Sequence, residues 1–128
     1  CGVVEGMGLG ENARAALLAR SFAELSRLGE ALGARRETLM GLSGLGDLVL
    51  TATSKSSRNF SYGAALGAGL EQSAALAEGV DTAPALVKRA RAAGVELPIA
   101  EAVSDLVNGA LSPGEAVLRL LSRKVTVE

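Results

Sequence analysis

The stretch Gly41–Asn59, GLSGLGDLVLTATSKSSRN, decides the fold. Gly41, Gly44 and Gly46 lead to a lone carboxylate, Asp47; a short apolar run follows, and the polar cluster Thr53–Asn59 closes the segment. Val49, Thr51 and Thr53 favour a strand, because β-branched side chains fit a pleated surface. A helix beginning near Asp47 is the competing reading. It places Asp47 and Thr51, at i and i+4, on one face, where they can share a partner. The glycines before Asp47 and that spacing favour the helix, and with it an all-α chain; a β-hairpin here would remove the pairing.

Upstream, Leu18, Phe22, Leu25, Gly29 and Leu32 recur at alternating spacings of four and three, the stripe of an amphipathic helix. Asn12 is the expected N-cap and Gly33 the expected stop. A helix from Ala13 to Leu32 would run ~30 Å. Glu37–Met40 suits one short turn, and Asn59–Gly67 a helix with Tyr62, Ala65 and Leu66 as its apolar side. Asp81 or Thr82 is expected to cap the next helix, with Pro84 in its first turn and Gly94 at its end. Pro98 opens another that ends at Asn108-Gly109. Ser112-Pro113-Gly114-Glu115 has the spacing of a capping box and launches Ala116–Arg123. The sum is one all-α domain of about six helices over residues 1–128.

Composition excludes several function classes. The chain has 128 residues, nearly half of them apolar, with charges interspersed, which fits one domain with a real core. The apolar runs fall short of the roughly 20 residues of a membrane span, so a soluble protein with no membrane span is expected. No signal peptide is visible, and a cytoplasmic setting is the default. Net charge is −1, which leaves no electrostatic footprint for nucleic acid. There is no His, and Cys1 is the sole Cys, so His-based catalysis, a Cys/His metal site and a disulfide framework are excluded. The chain starts at Cys1 without an initiator Met, which reads as a piece of a longer protein.

Three groups carry candidate chemistry. Asp47 with Thr51 could orient a cation such as a Lys ammonium, or Asp47 could simply cap its helix. Ser57-Arg58-Asn59 stands before a helix, where free N–H groups, the dipole and a guanidinium fork suit a phosphate; the plainer reading makes Asn59 an N-cap and Arg58 a solvated charge. Glu78, between Ala77 and Gly79, could reach a ligand hydroxyl or merely sit in solvent. Gly6-Met7-Gly8-Leu9-Gly10 looks like part of a dinucleotide loop, but it lacks the preceding strand, and a glycine-rich connection is the better reading. Lys55, Arg35-Arg36 and Lys88-Arg89-Arg91 read as solvated surface.

Taken together, GMGLGENARAALLARSFAELSRLGEALGA, the Gly41–Asn59 stretch, LGAGL, AEGVDTAPAL and VELPIAEAV resemble the C-terminal domain of bacterial NAD(P)-dependent glycerol-3-phosphate dehydrogenase. The likeness covers about Gly2 to Val103. It implies a helical domain of the 6-phosphogluconate dehydrogenase C-terminal-domain-like fold that completes a substrate site for an N-terminal Rossmann domain absent from this chain. The implied reaction interconverts sn-glycerol 3-phosphate and dihydroxyacetone phosphate with NAD or NADP, for phospholipid synthesis; a homodimer is compatible with it, and the sequence does not fix the oligomeric state. The family's active-site Lys falls just before Cys1. On this resemblance Asp47 and Thr51 position that Lys, Asp47, Ser57, Arg58 and Asn59 meet the substrate, and Arg58, Leu76 and Glu78 meet the cofactor; no metal is implied. Ala52 stands where many members have Cys, and the stretch from Gly69 to Glu78 is shorter than in several relatives. Two other readings remain at this point: the second domain of a dehydrogenase for another hydroxy acid or sugar acid, and a stand-alone helical interaction module.

Overall fold

The structure, a computed structural model, describes residues 1–71 and 77–124, and within them every regular element is helical. In chain order the α-helices are α1 (Gly2–Gly6), α2 (Glu11–Ala31), α3 (Arg36–Leu39), α4 (Asp47–Thr53), α5 (Arg58–Gly67), α6 (Gly79–Ala92), α7 (Pro98–Val107) and α8 (Pro113–Leu121). A π-helical turn, Leu42–Gly46, feeds directly into α4.

The deciding stretch is helical. α4 begins at Asp47, as its spacing requires, and its threonines fit because their hydroxyls bond back into the helix. Thr51 Oγ1 donates to the Asp47 carbonyl at 2.9 Å and Thr53 Oγ1 to the Val49 carbonyl at 2.7 Å. Gly44 is buried where a Cβ would fall onto the Leu39 carbonyl oxygen, so the π turn closes over α3 only with glycine there.

The long helix is α2, 21 residues, but it starts after Gly10, which adopts φ 90°, and not after Asn12. Its buried side differs from the expected stripe. Leu17, Glu24 and Leu28 are buried, whereas Leu18, Phe22 and Leu25 are half-buried and Leu32 is 51% exposed. The reason is Glu24, a polar residue that a hydrophobic pattern assigns to solvent. Its carboxylate accepts the Ile99 and Ala100 N–H groups at 2.5 and 3.3 Å, which draws α7 onto this face. Leu17 then packs with Val4, Ala102, Val117 and Leu120, and Leu28 with Ala90 and Leu97. The neighbouring face keeps a lighter contact: Gly29 lies under the Leu39 side chain of α3.

Gly6–Gly10 is the glycine-rich connection expected into α2, and the residues before it form a further short helix, α1, that the sequence reading did not include. α1 and α5 touch backbone to backbone. A Cβ at Gly2 would fall on the Phe60 carbonyl oxygen, at Gly6 on that of Ala64, and at Gly67 on that of Val3. Gly6 ends α1; Gly8 and Gly10, with φ 69° and 90°, turn the chain into α2 and form no dinucleotide loop. Downstream, α6 begins at Gly79, ahead of the expected Asp81 or Thr82 cap, so Pro84 lies within the helix. The stops at Gly33, Gly94 and Gly109 are in place, each with positive φ. The Ser112–Glu115 capping box is formed in both directions, at 3.2 and 2.9 Å.

Candidate functional site

α4 and α5 are joined by the short link Ser54–Ser57, which hydrogen bonds tie into a fixed turn. Ser57 N donates to the Ser54 carbonyl at 3.1 Å, Ser56 N to Ser54 Oγ at 3.2 Å, and Ser61 Oγ to the Lys55 carbonyl at 2.7 Å. Ser57 is the N-cap of α5, its Oγ accepting Phe60 N–H at 3.3 Å. This corrects the alternative in which Asn59 caps that helix. Arg58 and Asn59 become the first two residues of α5, both exposed, at the positive end of its dipole.

Asn59 has another partner. Its Oδ1 accepts the backbone N–H of Gly79, the first residue of α6, at 2.9 Å. This bond across 20 residues caps α6 from outside its own sequence and explains why that helix starts early. It also brings Glu78, the exposed residue before Gly79, to the end of α5 that carries Arg58. No feature of the local sequence announces Gly79 as a partner; its own conformation is ordinary, and the signal lies only in three-dimensional placement.

Asp47 and Thr51 lie on exposed turns of α4, which packs against α5. The Thr51 hydroxyl proton goes to the backbone of Asp47, so Thr51 does not bind the Asp47 carboxylate directly. Both retain acceptor oxygens for an incoming cation. The same stretch of chain exposes apolar side chains: Met40 (57%), Leu42 (91%) and Leu50 (65%). Asp47, Thr51, Ser57, Arg58, Asn59 and Glu78 are therefore carried by three connected elements. Leu76 lies outside the described residues. A cavity of about 640 Å³ lies elsewhere, between α2, the α6–α7 connection and the end of α8, and contains none of these residues. Among the described residues no group of three Cys, Asp or Glu side chains could hold a metal ion, and no helix is long and apolar enough to cross a membrane.

Fold and site together define a class: an all-helical domain with a polar edge that combines a carboxylate able to hold a cation with an arginine and helix N–H groups able to hold an anion. The comparisons narrow it. The family model described as NAD-dependent glycerol-3-phosphate dehydrogenase C-terminus matches residues 1–118, and the chain belongs to that family. It is 58% identical to the glycerol-3-phosphate dehydrogenase [NAD(P)+] of Novosphingobium aromaticivorans and 56% identical to that of Rhodospirillum rubrum, over 100% of this chain and 40% and 38% of those proteins. The crystal structure of glycerol-3-phosphate dehydrogenase from Coxiella burnetii superposes with TM-score 0.87 at 39% identity, covering 95% of this chain and 39% of that one. The chain thus spans about 40% of the length of its curated relatives.

Proposed function

We propose that this chain is the substrate-side domain of an NAD(P)-dependent glycerol-3-phosphate dehydrogenase, which interconverts sn-glycerol 3-phosphate and dihydroxyacetone phosphate. The observation that supports the reading is the connection of α4, α5 and the start of α6, the elements that carry Asp47, Thr51, Ser57, Arg58, Asn59 and Glu78. The exposure of Met40, Leu42 and Leu50, on the segment that carries Asp47, supports an edge that a further domain, of Rossmann type and preceding this one, covers. A cytoplasmic enzyme and a homodimer go with the same reading; sedimentation of the full-length chain checks the latter.

Arg58 and the first N–H groups of α5 hold the phosphate, whose charge the guanidinium fork and helix end both favour. Asn59 donates through Nδ2 to a substrate oxygen. Asp47 and the Thr51 oxygen orient the ammonium of the lysine that the family carries just before Cys1. That lysine gives a proton to the carbonyl oxygen of dihydroxyacetone phosphate, or takes it from the hydroxyl in the reverse direction. The nicotinamide, when bound, supplies or accepts the hydride. Arg58 and Glu78, a cation and an acid brought to the same edge, fit the phosphate and hydroxyl groups at the margin of such a cofactor.

The test is kinetic, on the full-length chain. Dihydroxyacetone phosphate should drive oxidation of NADH or NADPH. Asp47→Asn should lower kcat more than it raises KM, because the lysine it orients acts in the transition state. An unchanged kcat would return Asp47 to the role of a helix-start acid.

A further inference from the structure

The bond between Asn59 and Gly79 also determines which way the Asn59 amide faces. The atom opposite a backbone N–H must be an acceptor, so Oδ1 occupies that position, at 2.9 Å. Nδ2 and its two donors are thereby turned to the other side, and among the described residues none takes them up. Both partners are placed by backbone. Asn59 is the second residue of α5, whose first turn is held by the Ser57 cap and by the Ser61–Lys55 bond. Gly79 is the first residue of α6, and a Cβ there would lie 3.2 Å from Asn59 Oδ1, tight enough to push the amide away. Glu78 precedes Gly79 directly and moves with it.

We propose that Asn59 is a positioning residue in addition to a substrate ligand: through Oδ1 it latches the start of α6, and so Glu78, beside Arg58, while through Nδ2 it faces the substrate. The proposal rests on the reading of Arg58 as the substrate end and Glu78 as the cofactor end. One side chain then links the two ends. A residue that only bound substrate would affect substrate affinity alone. A latch affects cofactor affinity too, and the two roles are separable because they use different atoms of one amide.

Three variants of the full-length chain separate them. Asn59→Ala removes both functions. Asn59→Asp keeps an acceptor for Gly79 and, as an anion at a helix N-terminus, suits that place, but it loses the donors. Gly79→Ala leaves Asn59 intact and crowds the latch. The first readout, independent of activity, is hydrogen exchange at the Gly79 amide by NMR. Asn59→Ala should speed it roughly fivefold or more, the loss of one ordinary hydrogen bond, and Asn59→Asp should leave it within about twofold. The second is the pair of KM values. Asn59→Ala should raise the cofactor KM roughly fivefold together with the substrate KM, Asn59→Asp should raise the substrate KM alone, and Gly79→Ala mainly the cofactor KM. Adding Asn59→Ala to Glu78→Gln should cost cofactor binding little more than either change does, since both act through one contact. Unchanged Gly79 exchange in Asn59→Ala, or a rise in substrate KM alone, would overturn the latch, as would additive losses in the double variant. Asn59-dependent exchange in a wild-type chain that does not turn over dihydroxyacetone phosphate would support the latch and overturn the functional reading instead.

Discussion

Arg58 forms no ion pair among the described residues, unlike Arg14, which binds Glu5 at 2.9 Å, or Arg119, which binds Asp105 at 2.7 Å. Its removal therefore leaves no buried acid stranded, and its effect should fall on ligand binding alone. If it holds the phosphate, the contact exists in ground and transition states alike. Arg58→Ala should raise KM for dihydroxyacetone phosphate and lower kcat/KM about ten- to hundredfold, the roughly 1.5–3 kcal/mol of a charge-assisted hydrogen bond. Arg58→Lys should recover part of this, since an ammonium lacks the planar fork. The loss should shrink with dihydroxyacetone, which has no phosphate. An equal fractional loss on both substrates would show that Arg58 reads something else.

Four helices have side-chain partners at their starts, and they fall into two sets according to where those partners come from. α5 and α8 are capped by their own Ser57 and Ser112, and the α8 box was legible in the sequence because donor and acceptor sit three residues apart. α6 and α7 are capped from α5 and α2, by Asn59 and Glu24; Pro98 marks the start of α7 in the sequence, but no local pattern could place the start of α6 or name either capping partner. The same cause rotated the buried side of α2: Glu24 is buried because of α7, not because of its neighbours in sequence. α1 had no local signal in the sequence, because its two glycines, Gly2 and Gly6, serve a contact with α5 that only the fold reveals: they mark the line where the two helices meet backbone to backbone. Of the site, the residues of α4 and α5 were legible from spacing and family likeness, but the link to Gly79 was not. The glycine contact is testable. Gly6→Ala should destabilise the fold by about 1–3 kcal/mol, because its new methyl meets backbone that cannot swing away. Gly114→Ala, in α8 with open space around it, should be neutral or stabilising by up to about 1 kcal/mol. Equal melting-temperature shifts for the two would refute the close packing. Glu24 gives a pH test. Burial raises its carboxyl above the ordinary range, against the pull of the two α7 N–H groups and Arg27. A raised folded pKa means that its contribution to stability is fully present below the unfolded carboxylate pKa and is lost as pH rises through the folded value. The melting temperature of wild type relative to Glu24→Gln should therefore be most favourable in acid and decline toward neutrality; a difference that grew with pH would have the wrong sign.

At the scale of the whole molecule, the polar edge is open. Asp47, Thr51, Arg58, Asn59 and Glu78 are all exposed, and the buried clusters of the core lie around α2 instead. Charged contacts made in open water are weak, about 0–1 kcal/mol each, because solvent competes for both partners. The same contacts strengthen when a second surface excludes water, and Met40, Leu42 and Leu50 provide an apolar border on which such a surface could seat. The 128-residue chain by itself should thus be well folded, with a helical circular-dichroism spectrum, and yet bind glycerol 3-phosphate no better than the millimolar range. It should show no oxidation of NADH or NADPH with dihydroxyacetone phosphate, because the lysine that its Asp47 would orient is not among its residues. Titration followed by NMR, alongside a coupled assay of the same sample, measures both. Micromolar binding by the isolated domain would mean that α4, α5 and the start of α6 form a complete substrate site unaided. Turnover would mean more: that the proton is handled by a group of this chain, for which Lys55, in the α4–α5 link, would be the first residue to replace.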